Sequence, residues 1–251
     1  MPESPIRAAK LLPLPAAGVW RVSSWDEPFE PPPPPPPIGS AGPEEENAGR
    51  WDAPDGSFRV LYCSTEPEGA IGEKIAPFTQ NPAAVAEIEG FFEEEPDPEW
   101  QDDFLAAGLT AEDVAGLAAS LSWAPARADA RVVDVWHAST LRVFARLLAP
   151  AIRRFGMTRL DRLTLLTDER AITRTVAGIL HRAACDGHGE PRWASGLRFE
   201  SRLPPGWECF ALWEPVPVEA ERMSSEPLTI DNPHLRSAAA QLGVVLYDVF
   251  D

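Results

Sequence analysis

Seven consecutive prolines, Pro31 to Pro37, restrict this chain more than any other feature. Proline fixes φ near about −65° and lacks a backbone N–H, so the run cannot enter a helix interior or a central strand. It has to lie outside the regular elements, as an extended polyproline II segment. The flanking residues, Asp26 to Asn47, are low in complexity and rich in Pro and Glu. Composition favours a solvated spacer, a proline-rich loop over 28–48, over a ligand for a proline-reading domain. The chain holds 28 prolines in 251 residues, which adds many loops, yet 44% of its residues are hydrophobic and can fill a sizeable core.

Around that loop the pattern alternates between short strands and helices. Residues 1–17 read as a loose lead-in, and 18–251 as one domain. Val19–Ser23 and Phe58–Cys63 carry strand character, the second introduced by the Pro54-Asp55-Gly56 turn. Residues 66–78 predict a short helix that Pro77 ends, and 79–127 a helical, acidic insertion with a capping box at Thr110–Asp113. Strands are expected at 131–136, 162–167, 197–201 and 207–214, and a weak one at 227–230. Helices are expected at 139–154, where Leu141, Phe144, Leu147, Leu148 and Ile152 recur at helical spacing, and at 168–184. The C-terminal AAAQLGVVLYDVF suits either helix or strand. Without regular βαβ alternation the class is α+β.

Charge narrows the function. The net charge of −17 opposes nucleic acid and anionic membrane surfaces, both of which need clustered Lys and Arg; Lys occurs only at positions 10 and 74. Cys63, Cys185 and Cys209 form neither a disulfide framework nor a metal-ligand spacing, which suits a reducing compartment. The N-terminal apolar run is broken by Pro13 and Pro15, so a signal peptide is not expected and a cytoplasmic location is. The four histidines are scattered; His181 and His188 read as helix-face and turn residues before ligands, and no metal site is expected.

Three separated segments stand out: Val19-Trp20-Arg21; Gly49-Arg50-Trp51-Asp52 with Val60-Leu61-Tyr62 and Glu73; and Gly196-Leu197-Arg198-Phe199-Glu200-Ser201-Arg202 with Ala211-Leu212-Trp213. In order and spacing they resemble the RES-domain family, named for its Arg, Glu and Ser. The resemblance implies an ADP-ribosyltransferase-like core, a mixed sheet flanked by helices. It further implies a toxin-type enzyme that consumes NAD by hydrolysis, phosphorolysis or ADP-ribosyl transfer, with a cognate antitoxin as partner. Matched position by position, it makes Glu73, Arg50 and Ser201 the catalytic set, and Arg21, Arg50, Tyr62 and Ser201 the groups that bind NAD. Guanidinium groups grip pyrophosphate with paired donors. An aromatic strand residue offers nicotinamide a flat face and a hydroxyl. A carboxylate stabilises the cation that develops when the nicotinamide–ribose bond breaks.

The chain departs from that family's pattern at Ala48 and Asp52 (Gly and Asn in the family), at Val22 and at Phe199. Asp52 adds negative charge beside a phosphate-binding candidate. Each residue also has a plainer reading: ion pairs for Arg21, Arg50 and the Glu73–Lys74 neighbours, strand packing for Tyr62, a strand-edge serine at 201. A catalytically inactive interaction protein, docking through the proline run and the acidic region, is the alternative. A hydrolase of another class, built on His181 or His188, is a further one.

Overall fold

Strand residues that point to opposite faces in alternation need apolar cover on both sides, and β-strand β8 shows how this chain supplies it. Cys209, Ala211 and Trp213 enter one core while Phe210 and Leu212 enter another. The computed structural model describes residues 8–40, 48–79, 108–154, 161–166, 170–185, 193–203 and 205–247. Its strands are β1 (Leu11–Pro13), β2 (Val19–Ser23), β3 (Val60–Ser64), β4 (Gly108–Thr110), β5 (Ser120–Ala124), β6 (Arg131–Asp134), β7 (Gly196–Glu200), β8 (Glu208–Trp213), β9 (Ser224–Pro227) and β10 (Val245–Tyr247). Its helices are α1 (Pro67–Ile75), α2 (Ala111–Gly116), α3 (Ala138–Leu147), α4 (Ala149–Arg154), α5 (Arg162–Leu166), α6 (Arg170–Ala184) and α7 (Pro233–Leu242).

Eight strands form one mixed sheet in the order β1-β6-β7-β8-β3-β2-β5-β9, with β6 and β7 parallel and the other neighbours antiparallel. β4 and β10 form a separate parallel pair. The α+β class is therefore as expected. One sheet face is covered by α6 through Ile172, Val176 and Leu180, with Trp51 and Phe58 packed beside them. Leu14 and Phe29 cover the other face. A third core joins Ile71 and Ile75 of α1 to Leu235, Ala238 and Ala239 of α7. Among the described residues no helix is long and apolar enough to cross a membrane.

Several expectations change. Leu11–Pro13, placed in the loose lead-in, is the edge strand β1, paired with β6. The helical insertion 79–127 is helical only at α2 among its described residues; residues 80–107 lie outside them. The expected capping box is present, Thr110 and Asp113 bonding reciprocally. Past α2 the chain turns at Ala118, whose φ of 45° is a left-handed stop usually written as glycine. It then enters β5, a strand of the main sheet. Residues 162–166, expected as strand, are helix α5, because the Asp161 carboxylate accepts from Thr164 N–H at 3.0 Å and caps the first turn. The single helix expected over 139–154 is two, parted at Leu148 ahead of Pro150. The weak strand expected at 227–230 lies earlier, as β9, and the C-terminal segment is helix followed by strand.

The proline run is tied down along one side rather than free in solvent: Pro31 is buried, Pro33 and Pro37 are exposed, and the other four are half-buried. A polyproline segment offers carbonyls and no N–H, so it needs a donor-only partner, and arginine is one. Arg174 of α6, buried to 2% exposure, donates to Pro36 O at 2.8 Å and Ala53 O at 2.7 Å. Arg59 donates to Pro31 O and Pro32 O and pairs with Glu30 and Glu214. Ile38 N donates to Pro54 O at 2.9 Å. The spacer reading gives way to a strap fixed by two arginines.

His181 takes its plainer reading, as a packed histidine. Its ring stacks on Phe58 at 4.0 Å and meets Trp213 edge-on at 5.3 Å. Burial, then the charge of Arg182, lowers its pKa to about 4 from 6.5. Between those two values the unfolded chain binds more protons than the folded one, so stability rises with pH across that window and this contribution is level above it. Thermal midpoints measured from pH 7 down to pH 4 should therefore fall less steeply in His181→Phe than in the wild type. Parallel curves would remove His181 from the acid response.

Candidate active site

The separated motif segments converge on the sheet face that carries Tyr62 and Phe199. Tyr62, central in β3, directs its ring to this face, while its neighbours Leu61 and Cys63 pack into the opposite core. Its hydroxyl donates to Asp52 Oδ1 at 2.9 Å and accepts from Trp51 N–H at 2.8 Å. The other carboxylate oxygen, Asp52 Oδ2, accepts from Gly49 N–H at 2.6 Å. Asp52 N donates back to Gly49 O at 3.3 Å. The Gly49–Asp52 segment is thus a tight turn knotted onto the strand by one phenol.

Gly49 is demanded by this contact. A Cβ there would sit 2.3 Å from the Tyr62 hydroxyl oxygen. The turn also answers the concern over Asp52. The residue is 8% exposed, and both its oxygens accept hydrogen bonds in the interior. An acceptor-only carboxylate suits that position. Burial raises its pKa above the ordinary value, against hydrogen bonds from Tyr62 and Gly49 that lower it. The same burial, with the neighbouring Asp52 charge, holds the Tyr62 phenol well above its ordinary value. The single hydroxyl hydrogen of Tyr62 is spent on Asp52, so Tyr62 contributes a face and an edge to the cleft and no donor.

The arginines come from both sides of the turn. Arg50 donates through Nη2 to Leu165 O, at the C-terminal end of α5. Arg170, opening α6, donates to Ala48 O at 2.6 Å. β2 and β3 pair only at Trp20 and Ser64, and beside that pair Arg21 Nη1 donates to Tyr62 O at 3.4 Å. Arg21 Nε is buried with no partner among the described residues, and burial lowers this guanidinium's pKa. Arg198 of the third motif lies elsewhere in function: it braces Asp134 at 3.4 Å and Glu208 at 2.7 Å.

Glu73 rides on α1, and the turn after β7 comes to meet it. Ser201 Oγ donates to Glu73 Oε1 at 2.5 Å and accepts from Leu203 N–H at 3.0 Å. Glu73 Oε2 makes no hydrogen bond to the described chain. The motif glutamate and serine, 128 positions apart, are therefore in direct contact.

Between these groups opens a cavity of about 470 Å³. Arg21, Arg50, Tyr62 and Glu73 line it; Ser201 stands behind Glu73 and reaches the cavity through it. Lys74, Arg170 and Arg202 line it as well, against Glu73 and Glu200 of opposite sign among the described residues. A chain of net charge −17 has thus built a locally basic cleft. Trp51, Trp136 and Phe199 supply apolar walls. Arg202 closes the third motif segment but was given no role there, and Lys74 was read only as a neighbour of Glu73; Arg170 and Trp136 carried no signal at all. His188 lies outside the described residues. Among the described residues no three His, Cys, Asp or Glu side chains gather as a metal site.

A family model described as RES domain matches residues 19–231. No curated protein and no solved structure matches the chain.

Tyr62→Phe removes the group that satisfies both Asp52 Oδ1 and Trp51 N–H while keeping the ring. Leaving such buried groups unpaired costs roughly 1–3 kcal/mol. Urea unfolding of this variant should show a loss of that size. A loss too small to measure would mean the turn is held by other contacts.

Proposed function

Because this chain belongs to the RES-domain family, we propose that it binds NAD in the basic cleft and cleaves the nicotinamide–ribose bond. The observation that carries the reading is a cavity whose described lining sets five basic side chains against two carboxylates, one of them, Glu73, held in place by Ser201 at 2.5 Å. A cavity near 470 Å³ lies within the range of cofactor-sized sites, roughly 300–1,000 Å³. Its charged donors are Arg and Lys groups, neither of which accepts, as a pyrophosphate requires. Arg21 Nε, buried without a partner, is the kind of orphan that a bound anion satisfies.

In this scheme Arg21 and Arg50 draw the pyrophosphate in, and the aromatic wall of Tyr62 and Phe199 receives the nicotinamide. The C1′–N bond breaks with both electrons leaving on nicotinamide, which departs neutral. Positive charge develops on the ribose and Glu73 faces it. Ser201 fixes one carboxylate oxygen, so Oε2 is the atom left to meet the ribose or to orient the attacking oxygen. Water, phosphate or a protein side chain supplies that oxygen and loses its proton to Glu73 or solvent. Ser201 is a positioning group here: its hydroxyl hydrogen holds Glu73, and its side chain stands behind that carboxylate rather than in the cavity lining. A cognate antitoxin occluding the same cleft is the partner this reading carries.

Consumption of NAD by the purified chain, with and without phosphate, tests the reading beside Glu73→Gln. The substitution keeps shape and removes charge, so turnover should fall by roughly a hundredfold or more. Phosphate dependence separates phosphorolysis from hydrolysis. A wild-type chain that neither consumes NAD nor is stabilised by it in a thermal-shift titration would end the proposal.

A further inference from the structure

One loop holds Glu73 at two points, and only one of them belongs to the motifs. The turn between β7 and β8 carries Ser201 at its start and Trp207 at its end. Ser201 N donates to Trp207 O at 2.8 Å, closing the turn, and Gly206 within it takes a φ of 90°. Ser201 reaches the carboxylate of Glu73. Trp207, 3% exposed, lies against the helix that carries it.

The fit between Trp207 and α1 is close. Gly69, Gly72 and Glu73 share one side of the helix by their spacing. A Cβ on Gly72 would lie 2.2 Å from Trp207 Cζ3 and 2.5 Å from Cη2. One on Gly69 would lie 2.9 Å from Trp207 Cβ and 2.3 Å from Ser64 Oγ. Two missing side chains thus let α1 settle onto the indole, immediately before the residue that meets Ser201. On its other side α1 is seated by Ile71 and Ile75 against α7, so the indole sets the depth at which the helix stops. Trp207 Nε1 has no hydrogen-bond partner among the described residues. The ring therefore acts here by its shape.

We propose that Trp207 is a positioning residue for Glu73, a spacer that sets the depth of α1 so that the carboxylate meets Ser201 Oγ. The proposal deepens the function given above and, in its catalytic consequence, rests on it. A displacement of about 1 Å at a reacting group can cost about a hundredfold in rate, so a spacer of this kind bears directly on turnover.

The test uses the full chain and two readouts. The first needs no activity: urea midpoints of Ser201→Ala, Glu73→Ala and the pair, in the wild-type and the Trp207→Phe backgrounds. In the wild type the two shifts should be non-additive, as expected of contacting groups. With the shorter ring of Trp207→Phe they should become additive. The second readout is kcat and KM for NAD: Trp207→Phe should lose at least tenfold in kcat with KM changed less than threefold. A coupling that survives in the Trp207→Phe background overturns the proposal whatever the activity, and so does an unchanged kcat in an active enzyme. A wild-type chain that does not turn over NAD overturns the functional reading alone, and the midpoints still decide on Trp207. If Trp207→Phe does not fold, Gly72→Ala displaces the helix from the opposite side and is read by the same two measurements.

Discussion

The Tyr62 hydroxyl is the atom on which the cleft's architecture depends. It joins a central strand to the Gly49–Asp52 turn by giving its hydrogen to Asp52 and receiving one from Trp51. The turn in turn sets Arg50 toward Leu165 and Ala48 toward Arg170, so α5 and α6 are registered against the sheet through it. Bonds of this kind are strong only where water is excluded, and they are costly if broken there. That explains why a carboxylate, a phenol and a glycine without room for a methyl group meet at one spot.

Arginine serves at least three ends among the described residues. Arg174 and Arg59 serve backbone carbonyls of the proline strap, which no other part of that strap could satisfy. Arg198 balances the buried acid Asp134 and the half-buried Glu208. Arg21, Arg50, Arg170 and Arg202 border the cleft, where their charge stands out against an acidic whole.

Much of this was legible in the sequence because the motifs are local. Short runs such as Val60–Tyr62 and Gly196–Ser201 combine strand patterning with a few polar residues, and both features survive folding unchanged. The errors have physical reasons. Residues 162–167 are apolar and β-branched enough to read as strand, but Asp161 caps them into a helix through a bond that composition does not display. β5 was hidden because the α2 stop at Ala118 lacks a glycine. The proline run was read as solvated because its fixation depends on Arg59 and Arg174, one of them 138 positions from the carbonyl it serves. Trp207 was passed over because its role depends on what is missing from Gly69 and Gly72, an absence that has meaning only once the two segments touch.

The two outer strands of the main sheet, β1 and β9, are three and four residues long, and each ends in a proline, Pro13 and Pro227. An outer strand with unpaired amides is a template onto which another polypeptide can zip, and a short strand capped by an imino acid is a poor one. Growth of this sheet by recruitment of foreign strands is therefore discouraged at both margins. At these two margins, strand addition is a poor route for a binding protein.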